Sequence, residues 1–268
     1  MKLSEFYKMA DALAPKALSD EYCQKYGAYD NSGILVDTGA EVNKALFTLD
    51  LSFSAVEKAI KTGADVIVTH HPVIYAKIGD IKTDDFQPLG EKLIKCIQNG
   101  ISVISMHLNL DCVAGGIDEC LQDGIVIASG AEKTDARVMH ALSNGGYGRA
   151  YRVKEISLTA LAEGIRKQFS TDKLLVYGAE NKRIDKVASF CGSGADERSV
   201  QFALEQGAQA IISSDFKHHV LTLALEKGLS VIALTHYASE NYGFEKYYEK
   251  ISQRAKVACE YHTDNALL

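Results

Sequence analysis

The sequence predicts an α/β protein, because short segments rich in Val and Ile alternate along the chain with helical patterns. The apolar segments show no polar face, as is typical of strands that helices cover on both sides. Several helical patterns end at a glycine, a residue that tolerates the left-handed conformation that closes a helix. Strands are predicted over residues 45–49, 66–69, 101–106, 187–191, 210–213 and 231–235.

Helices are predicted between these strands, over residues 54–62, 89–99, 158–169, 197–206 and 218–227. The helix–glycine–strand pattern of residues 56–67 recurs at 200–211, and that of 100–104 recurs at 228–232. The recurrence indicates either two similar α/β halves or only the likeness that all helix–glycine–strand units share. We predict two topologically similar halves, 1–126 and 127–268, with the C-terminal part packing back on the first half.

Composition narrows the class of protein. The 268 residues contain 29 Lys and Arg against 35 Asp and Glu, a net charge of −6 that argues against general binding to nucleic acid or an anionic membrane. No segment approaches the ~20 apolar residues of a membrane span, and the N-terminal segment has no uninterrupted apolar run of the secretory type. The six cysteines are scattered and form no C-x-x-C motif, which favours a reducing compartment. We therefore predict a cytoplasmic protein.

The histidines indicate where the chemistry lies. Six of the eight follow the ends of four predicted strands. Histidine is a poor core residue, and ligand sites in α/β proteins lie at the carboxyl ends of strands, so a shared polar site is favoured over coincidence. The six are His70, His71, His107, His218, His219 and His236.

Three of these positions carry metal-ligand patterns. His70 and His71 are adjacent at a strand end, where neighbouring side chains point to opposite sides, so the pair suits two ions better than one. Two later pairs place an imidazole four residues before a carboxylate: His107 with Asp111, and His236 with Glu240. If a helix begins at Ser239 or in the turn before it, the second pair shares one helix face. Imidazole and carboxylate without thiolate suit divalent Zn, Fe, Mn or Co.

With these motifs the sequence resembles the Nif-three-like dinuclear-metal proteins, also called GTP cyclohydrolase I type 2 homologues. The resemblance covers nearly the whole chain and follows the short form of the family. It is carried by the segments DNSGILV, GADVIVTHHP, HLNLD, YGRAYRV, VASFCGSGAD, SSDFKHH and THYASE. Ile34-Leu35-Val36 replaces the commoner Leu-Gln-Val, a departure that removes no metal ligand.

The resemblance implies a ligand set for two divalent ions per chain. His70, Asp111 and Glu240 would hold one ion. His71, His236 and the same Glu240 would hold the other, so that Glu240 bridges. The family further implies two interlinked α/β domains with the metal site in the crevice between them, assembled into a homohexamer.

Two classes of function follow. The first is a hydrolase that uses a metal-bridging hydroxide on a nucleotide or another small phosphorylated or cyclic amide substrate, as in GTP cyclohydrolase chemistry. His107, His218 and His219 are the candidate proton-transfer residues. The second is a non-enzymatic hexamer that acts as a metal-binding scaffold or metal carrier. A carrier needs ligands but no additional acid–base groups, so the extra histidines favour the enzyme.

Three further residues keep open roles at this point. Ser193 lies in a Cys-Gly-Ser-Gly-Ala-Asp turn whose spacing fits neither a dinucleotide loop nor a nucleophile elbow. Asp215 either lines the substrate cavity or caps a helix. Arg149 either binds phosphate or is an ordinary surface arginine.

Overall fold

The computed structural model describes residues 1–83, 88–132 and 134–268. The chain forms two compact units. The first unit comprises Met1–Val113 and Phe244–Asp264, and the second comprises Ala114–Gly243 and Asn265–Leu268. Each unit contains one β-sheet with helices, so the predicted α/β class is confirmed. Within the described ranges, no helix has the length and apolar content that a membrane crossing requires.

The secondary-structure elements run along the chain in an alternating order. They are α1 (Leu3–Leu13), α2 (Lys16–Tyr26), β1 (Gly33–Val36), β2 (Lys44–Thr48), α3 (Phe53–Thr62), β3 (Val66–Thr69), α4 (Leu89–Gln98), β4 (Ser102–Ser105), α5 (Leu108–Cys112), α6 (Ile117–Ala128), β5 (Ala136–Leu142), β6 (Gly145–Ser157), α7 (Leu158–Gln168), β7 (Leu174–Tyr177), β8 (Arg183–Ser189), α8 (Glu197–Glu205), β9 (Ala210–Ser213), α9 (His218–Glu226), β10 (Ser230–Leu234), α10 (His236–Arg254), β11 (Ala258–Tyr261) and a final short 3-10 helix (Asn265–Leu267).

The sheet of the first unit has the strand order β1-β4-β3-β2-β11. Its inner pairs β2–β3 and β3–β4 are parallel, β11 joins β2 in parallel, and β1 is antiparallel to β4. All residues of β3 and β4 are buried, which explains why these segments show no polar face. Leu46, Ile67, Leu93 and Val103 belong to the buried cluster of this unit.

The sheet of the second unit has the strand order β5-β6-β8-β9-β10-β7. The strands β8, β9 and β10 are parallel neighbours, and β7 closes the edge in the antiparallel sense. The long strand β6 pairs antiparallel with both β5 and β8. Ala188, Ile211, Val220 and Val231 belong to the buried cluster of this unit.

Both units are built on one β-α-β-α-β motif, which accounts for the repeat in the sequence. In the first unit the motif is β2-α3-β3-α4-β4, and in the second it is β8-α8-β9-α9-β10. Matching hydrogen bonds are made to the first strand of each motif: Asp65 Oδ2 accepts from the Lys44 amide at 3.0 Å, and Gln209 Oε1 accepts from the Lys186 amide at 2.9 Å. The motif of each unit therefore places the carboxyl ends of three parallel strands at one edge of its sheet.

The elements that the sequence pattern left out lie outside these two motifs. They include the N-terminal helices α1 and α2, the β5–β6 hairpin, the edge strand β7 and the late strand β11. The sequence analysis considered a helix that begins at Ser239 or in the turn before it. This helix is present as α10, and it begins at His236. Gly63 is the C-cap of α3, with a φ of 69° in the left-handed region, whereas the glycines after α4, α8 and α9 lie one residue beyond the C-cap.

Candidate metal centre

Three histidines of the first unit gather at the ends of two neighbouring strands. His70 and His71 follow β3, and His107 follows the parallel strand β4. One ring nitrogen from each lies within 4.8 Å of those of the other two. His70 is fully buried, whereas His71 and His107 are partly exposed. This group can hold a divalent ion on imidazole nitrogens.

Asp111 adds a carboxylate to the same unit. The short helix α5 starts directly after His107, and the Asp111 amide donates to the His107 carbonyl at 2.9 Å, which turns the chain back by one helical turn. The Asp111 side chain is buried, and its Oδ1 lies 3.5 Å from His70 Nε2. Imidazole and carboxylate donors thus adjoin each other in the first unit, without thiolate.

The second unit has an imidazole–carboxylate pair of its own. His236 is the first residue of α10 and Glu240 lies one turn further, so the two share a helix face. His236 Nε2 and Glu240 Oε1 are 3.1 Å apart. Glu240 is only 3% exposed. A buried carboxylate is costly unless a cation or hydrogen bonds stabilise it, so this position suits a metal ligand.

The Nδ1 ring nitrogen of each of these four histidines lies within hydrogen-bond distance of an oxygen. Such an acceptor keeps the proton on Nδ1 and leaves the Nε2 lone pair to bind a metal, the arrangement that metal-binding histidines typically have. The four contacts are His70 Nδ1 with Met106 O at 2.8 Å, His71 Nδ1 with Asp50 Oδ1 at 2.8 Å, His107 Nδ1 with Asp30 Oδ1 at 2.8 Å, and His236 Nδ1 with Asp215 Oδ2 at 2.5 Å. The residues present therefore fit divalent metal ions.

The three carboxylates that face these histidines, Asp30, Asp50 and Asp215, lie next to the ends of strands that neighbour the histidine-bearing strands. Asp50 lies beyond the end of β2, next to β3, and Asp215 lies beyond the end of β9, next to β10. Asp30 precedes β1, which runs antiparallel to β4. The sequence interpretation missed Asp50, although it directly follows a predicted strand, as His70 does. Asp30 stood within the family-like segment but had no assigned role.

Asp30 is held in its charged form. Burial alone raises the pKa of this carboxyl, but the hydrogen bond and charge of His107, with the hydroxyls of two serines, outweigh that effect and hold the pKa well below its usual range. Ser19 and Ser32 donate to Asp30 Oδ2 at 2.5 and 2.6 Å. The ionised carboxylate fixes the orientation of the His107 ring.

His218 and His219 occupy a different setting from the other predicted site histidines. Both are exposed in the first turn of α9, and His219 Nε2 lies 2.9 Å from Glu197 Oε1 at the surface. Among the described residues, neither belongs to a group of three or more His, Cys, Asp or Glu side chains whose ligand atoms lie within 4.8 Å of one another. Their role in proton transfer stays a prediction.

The structure also places the residues whose roles were open. Arg149 is buried, and its Nε donates to Asp118 Oδ2 at 2.9 Å, so it is not a surface arginine. Lys217, rather than Asp215, is the N-terminal cap of α9. Asp215 has a left-handed φ of 50°, a conformation that non-glycine residues rarely adopt and that concentrates at functional sites. Ser193 is exposed.

We expect Asp50→Ala to weaken Zn²⁺ binding by about 10- to 100-fold, the usual effect of removing a group that orients a ligating histidine. The physical reason is that the His71 ring loses the acceptor of its Nδ1 proton and is no longer held in one orientation. Isothermal titration with Zn²⁺ measures the effect, with the exposed Asp37→Ala as the matched control. Equal Zn²⁺ affinity of the two variants would show that Asp50 does not support the site.

The fold and these donors define a class: an α/β protein with histidine and carboxylate groups suited to divalent metal ions at its strand ends. The chain belongs to the Duf34/NIF3 (NGG1p interacting factor 3) family, whose sequence profile matches residues 1–265. The family resemblance seen in the motifs is thereby confirmed.

The chain is similar to proteins of several organisms. The chain is 30% identical over 263 residues to the GTP cyclohydrolase 1 type 2 homolog of Clostridium perfringens, covering 97% of this chain and 95% of the relative. It is 30% identical over 244 residues to the protein of the same name in Clostridium acetobutylicum, covering 90% and 85%. The NGG1-interacting factor 3 of Saccharomyces cerevisiae is 29% identical over 248 residues, covering 84% of each chain.

Solved structures agree with the fold. Reduced HcgD from Methanocaldococcus jannaschii matches with a TM-score of 0.77 and 29% identity, covering 97% of both chains. The Bacillus cereus protein related to NIF3 matches with a TM-score of 0.81 and 18% identity, covering 98% of this chain and 97% of that one. The second likeness shows the fold alone.

Proposed function

We propose that this protein is a dinuclear-metal-dependent hydrolase of the GTP cyclohydrolase 1 type 2 kind. The observation that carries the proposal is that the three proposed histidine ligands, His70, His71 and His236, each have an oxygen acceptor at Nδ1, the pattern of metal-binding imidazoles. The names of the relatives support the reaction class. The proposed ligands are His70, His71, Asp111, His236 and Glu240, with Glu240 shared by two divalent ions.

Bound divalent ions would supply an acidified water and stabilise the negative charge that develops on the substrate. His107 is the proposed proton-transfer residue, because its Nδ1 is held by ionised Asp30 and its Nε2 is left to exchange a proton with the leaving group. Its ring lies 5.2 Å from the His70 ring between centroids, close to the proposed ligands. His218 and His219 are the alternative proton-transfer residues.

The substrate class that we propose is a nucleotide or a related phosphorylated or cyclic amide compound. Two tyrosines beside His107 support it, since aromatic side chains bind planar rings by stacking. Tyr75 and Tyr29 are 49% and 57% exposed, and their rings meet edge to face with centroids 5.4 Å apart. The Tyr75 hydroxyl donates to the Tyr29 carbonyl at 3.0 Å, which fixes its ring 6.3 Å from that of His107.

The test is an activity screen of metal-reconstituted protein against nucleotides, phosphoesters and cyclic amides. With the substrate that turns over, we expect His107→Ala to lower kcat by about 10²- to 10⁴-fold, as removal of a proton-transfer group does. Tyr75→Leu should raise KM by about tenfold through lost stacking, whereas Ile97→Ala, at an equally exposed position, should not.

One result would count against the hydrolase, and a second would count against the role of His107. Metal-loaded protein that turns over no compound of the three classes would favour the scaffold or metal carrier. Turnover that His107→Ala leaves intact and His219→Ala abolishes would move proton transfer to the α9 histidines.

The assembly and location implied by the family belong to the same proposal. We propose a homohexamer, for which light scattering should give six times the chain mass of 29.2 kDa, and a monomer would contradict it. We also propose a cytoplasmic location. All six cysteines are in the thiol form, as a reducing compartment maintains them.

A further inference from the structure

The backbone of Gly192, a residue to which the sequence motifs assign no role, lies unusually close to a side chain. This residue follows β8 in the turn after Cys191, and its φ of 56° lies in the left-handed region that favours glycine. A Cβ built on Gly192 would lie far inside van der Waals distance of Glu240 Oε1 and 3.2 Å from His236 Nε2. The missing side chain therefore leaves the space that the Glu240 carboxylate fills.

The Gly192 peptide cannot retreat from Glu240, because hydrogen bonds hold it on both sides. Its amide donates to Ser239 Oγ at 3.0 Å, and Ser239 lies in the same helix turn as Glu240. Its carbonyl accepts from Ser214 Oγ at 2.5 Å and from Ser213 Oγ at 3.3 Å. All these groups are buried.

The preceding residue adds a further anchor. The Cys191 amide donates at 3.3 Å to Asp118 Oδ1, a carboxylate that also holds the buried Arg149. A side chain at position 192 would thus displace the Glu240 carboxylate rather than the loop. Glu240 is itself buried, so its displaced oxygen would lose its place beside His236 Nε2.

We propose that Gly192 is a positioning residue for the metal centre, whose lack of a side chain sets the position of the Glu240 carboxylate against His236. The inference rests on the proposed function, because it takes Glu240 and His236 as metal ligands. Gly192 itself contacts no metal. It acts by confining the carboxylate to the orientation that leaves its oxygen next to the imidazole nitrogen.

The test compares Gly192→Ala with Gly207→Ala. Gly207 has a φ of 68° and open space where its Cβ would lie, so this control carries the same backbone strain without a contact. Isothermal titration with Zn²⁺ alone should show an affinity at least tenfold lower for Gly192→Ala, and near the wild-type value for Gly207→Ala. Equal affinities of the two variants would overturn the proposal.

A second measurement uses the metal-free protein and distinguishes crowding from general damage. We expect the Tm of apo Gly192→Ala to lie below that of apo Gly207→Ala. Adding Glu240→Ala to the Gly192→Ala protein should remove this difference in Tm, because it makes room for the new side chain. If adding Glu240→Ala leaves the lowered Tm unchanged, the effect of a side chain at position 192 does not act through this carboxylate and the proposal fails. Wild-type protein that takes up no metal would instead contradict the proposed function, whereas a restored apo Tm would still support the crowding contact.

Discussion

Replacing Asp118 with alanine is expected to lower the free energy of unfolding by about 3–5 kcal/mol, the cost of leaving a buried charge without its partner. Asp118 is fully buried and accepts hydrogen bonds from Arg149 Nε at 2.9 Å, from the Gly148 amide at 3.0 Å and from the Cys191 amide at 3.3 Å. Without it, the Arg149 guanidinium keeps, among the residues that the structure describes, the more distant Glu119 at 3.5 Å and the Gly146 carbonyl. Urea unfolding followed by circular dichroism measures the loss.

The matched control for Asp118 is an exposed ion pair of the sheet that contains Arg149. Arg183 and Glu155 lie 2.7 Å apart with side chains 60% and 64% exposed, so Glu155→Ala should cost less than about 1 kcal/mol. The double variant Asp118→Leu/Arg149→Met should recover much of the stability, because it removes the orphaned charge. An Asp118→Ala protein as stable as Glu155→Ala would contradict the assignment of this pair as a structural anchor.

Replacing Glu240 with alanine is expected to remove binding at both metal positions, whereas His71→Ala should remove binding at one. The reason is the proposed ligand set, in which Glu240 is shared by the two ions and His71 binds a single one. Glu240 is also the buried carboxylate of α10, so no exposed acid of that helix can substitute for it. Zn²⁺ titration of the two variants measures the number of sites that remain.

Glu249→Ala is the control for Glu240, because this residue is an exposed glutamate of the same helix and should retain both sites. The fold of all three variants should persist, since His71 lies at a strand end, Glu240 in the second turn of α10 and Glu249 on its exposed face, and no substitution removes a backbone hydrogen-bonding group. If Glu240→Ala still takes up two ions with wild-type affinity, Glu240 does not bridge and the role of the His236/Glu240 motif is wrong.

The sequence predicts the parts of the fold whose signals are local. The strands of the two β-α-β-α-β motifs are short and have mainly apolar cores, and glycines follow the helices between them, so their limits are found to within a few residues. The helix α10 is harder to predict, because its tyrosines, charges and buried residues do not follow one simple apolar stripe. The β5–β6 hairpin mixes apolar residues, polar residues and several glycines, so its sequence shows no continuous apolar run.

The candidate site likewise has residues that the sequence reveals and residues that only the folded chain reveals. His70, His71 and His236 could be selected because residue type and strand-end position are both visible in the sequence. Their carboxylate partners could not be selected, because Asp50 and Asp215 meet these rings only through the pairing of β2 with β3 and of β9 with β10. Gly192 was equally hidden, since nothing local shows which side chain occupies the space beside a glycine.

The metal content of the wild-type protein tests the central claim most directly. Protein saturated with Zn²⁺, passed through a desalting column and analysed for zinc against chain concentration should contain two ions per chain. That result is expected because the proposed ligand set has five residues, more donors than one tetrahedral ion binds. One ion per chain at saturation, or none, would contradict a dinuclear centre.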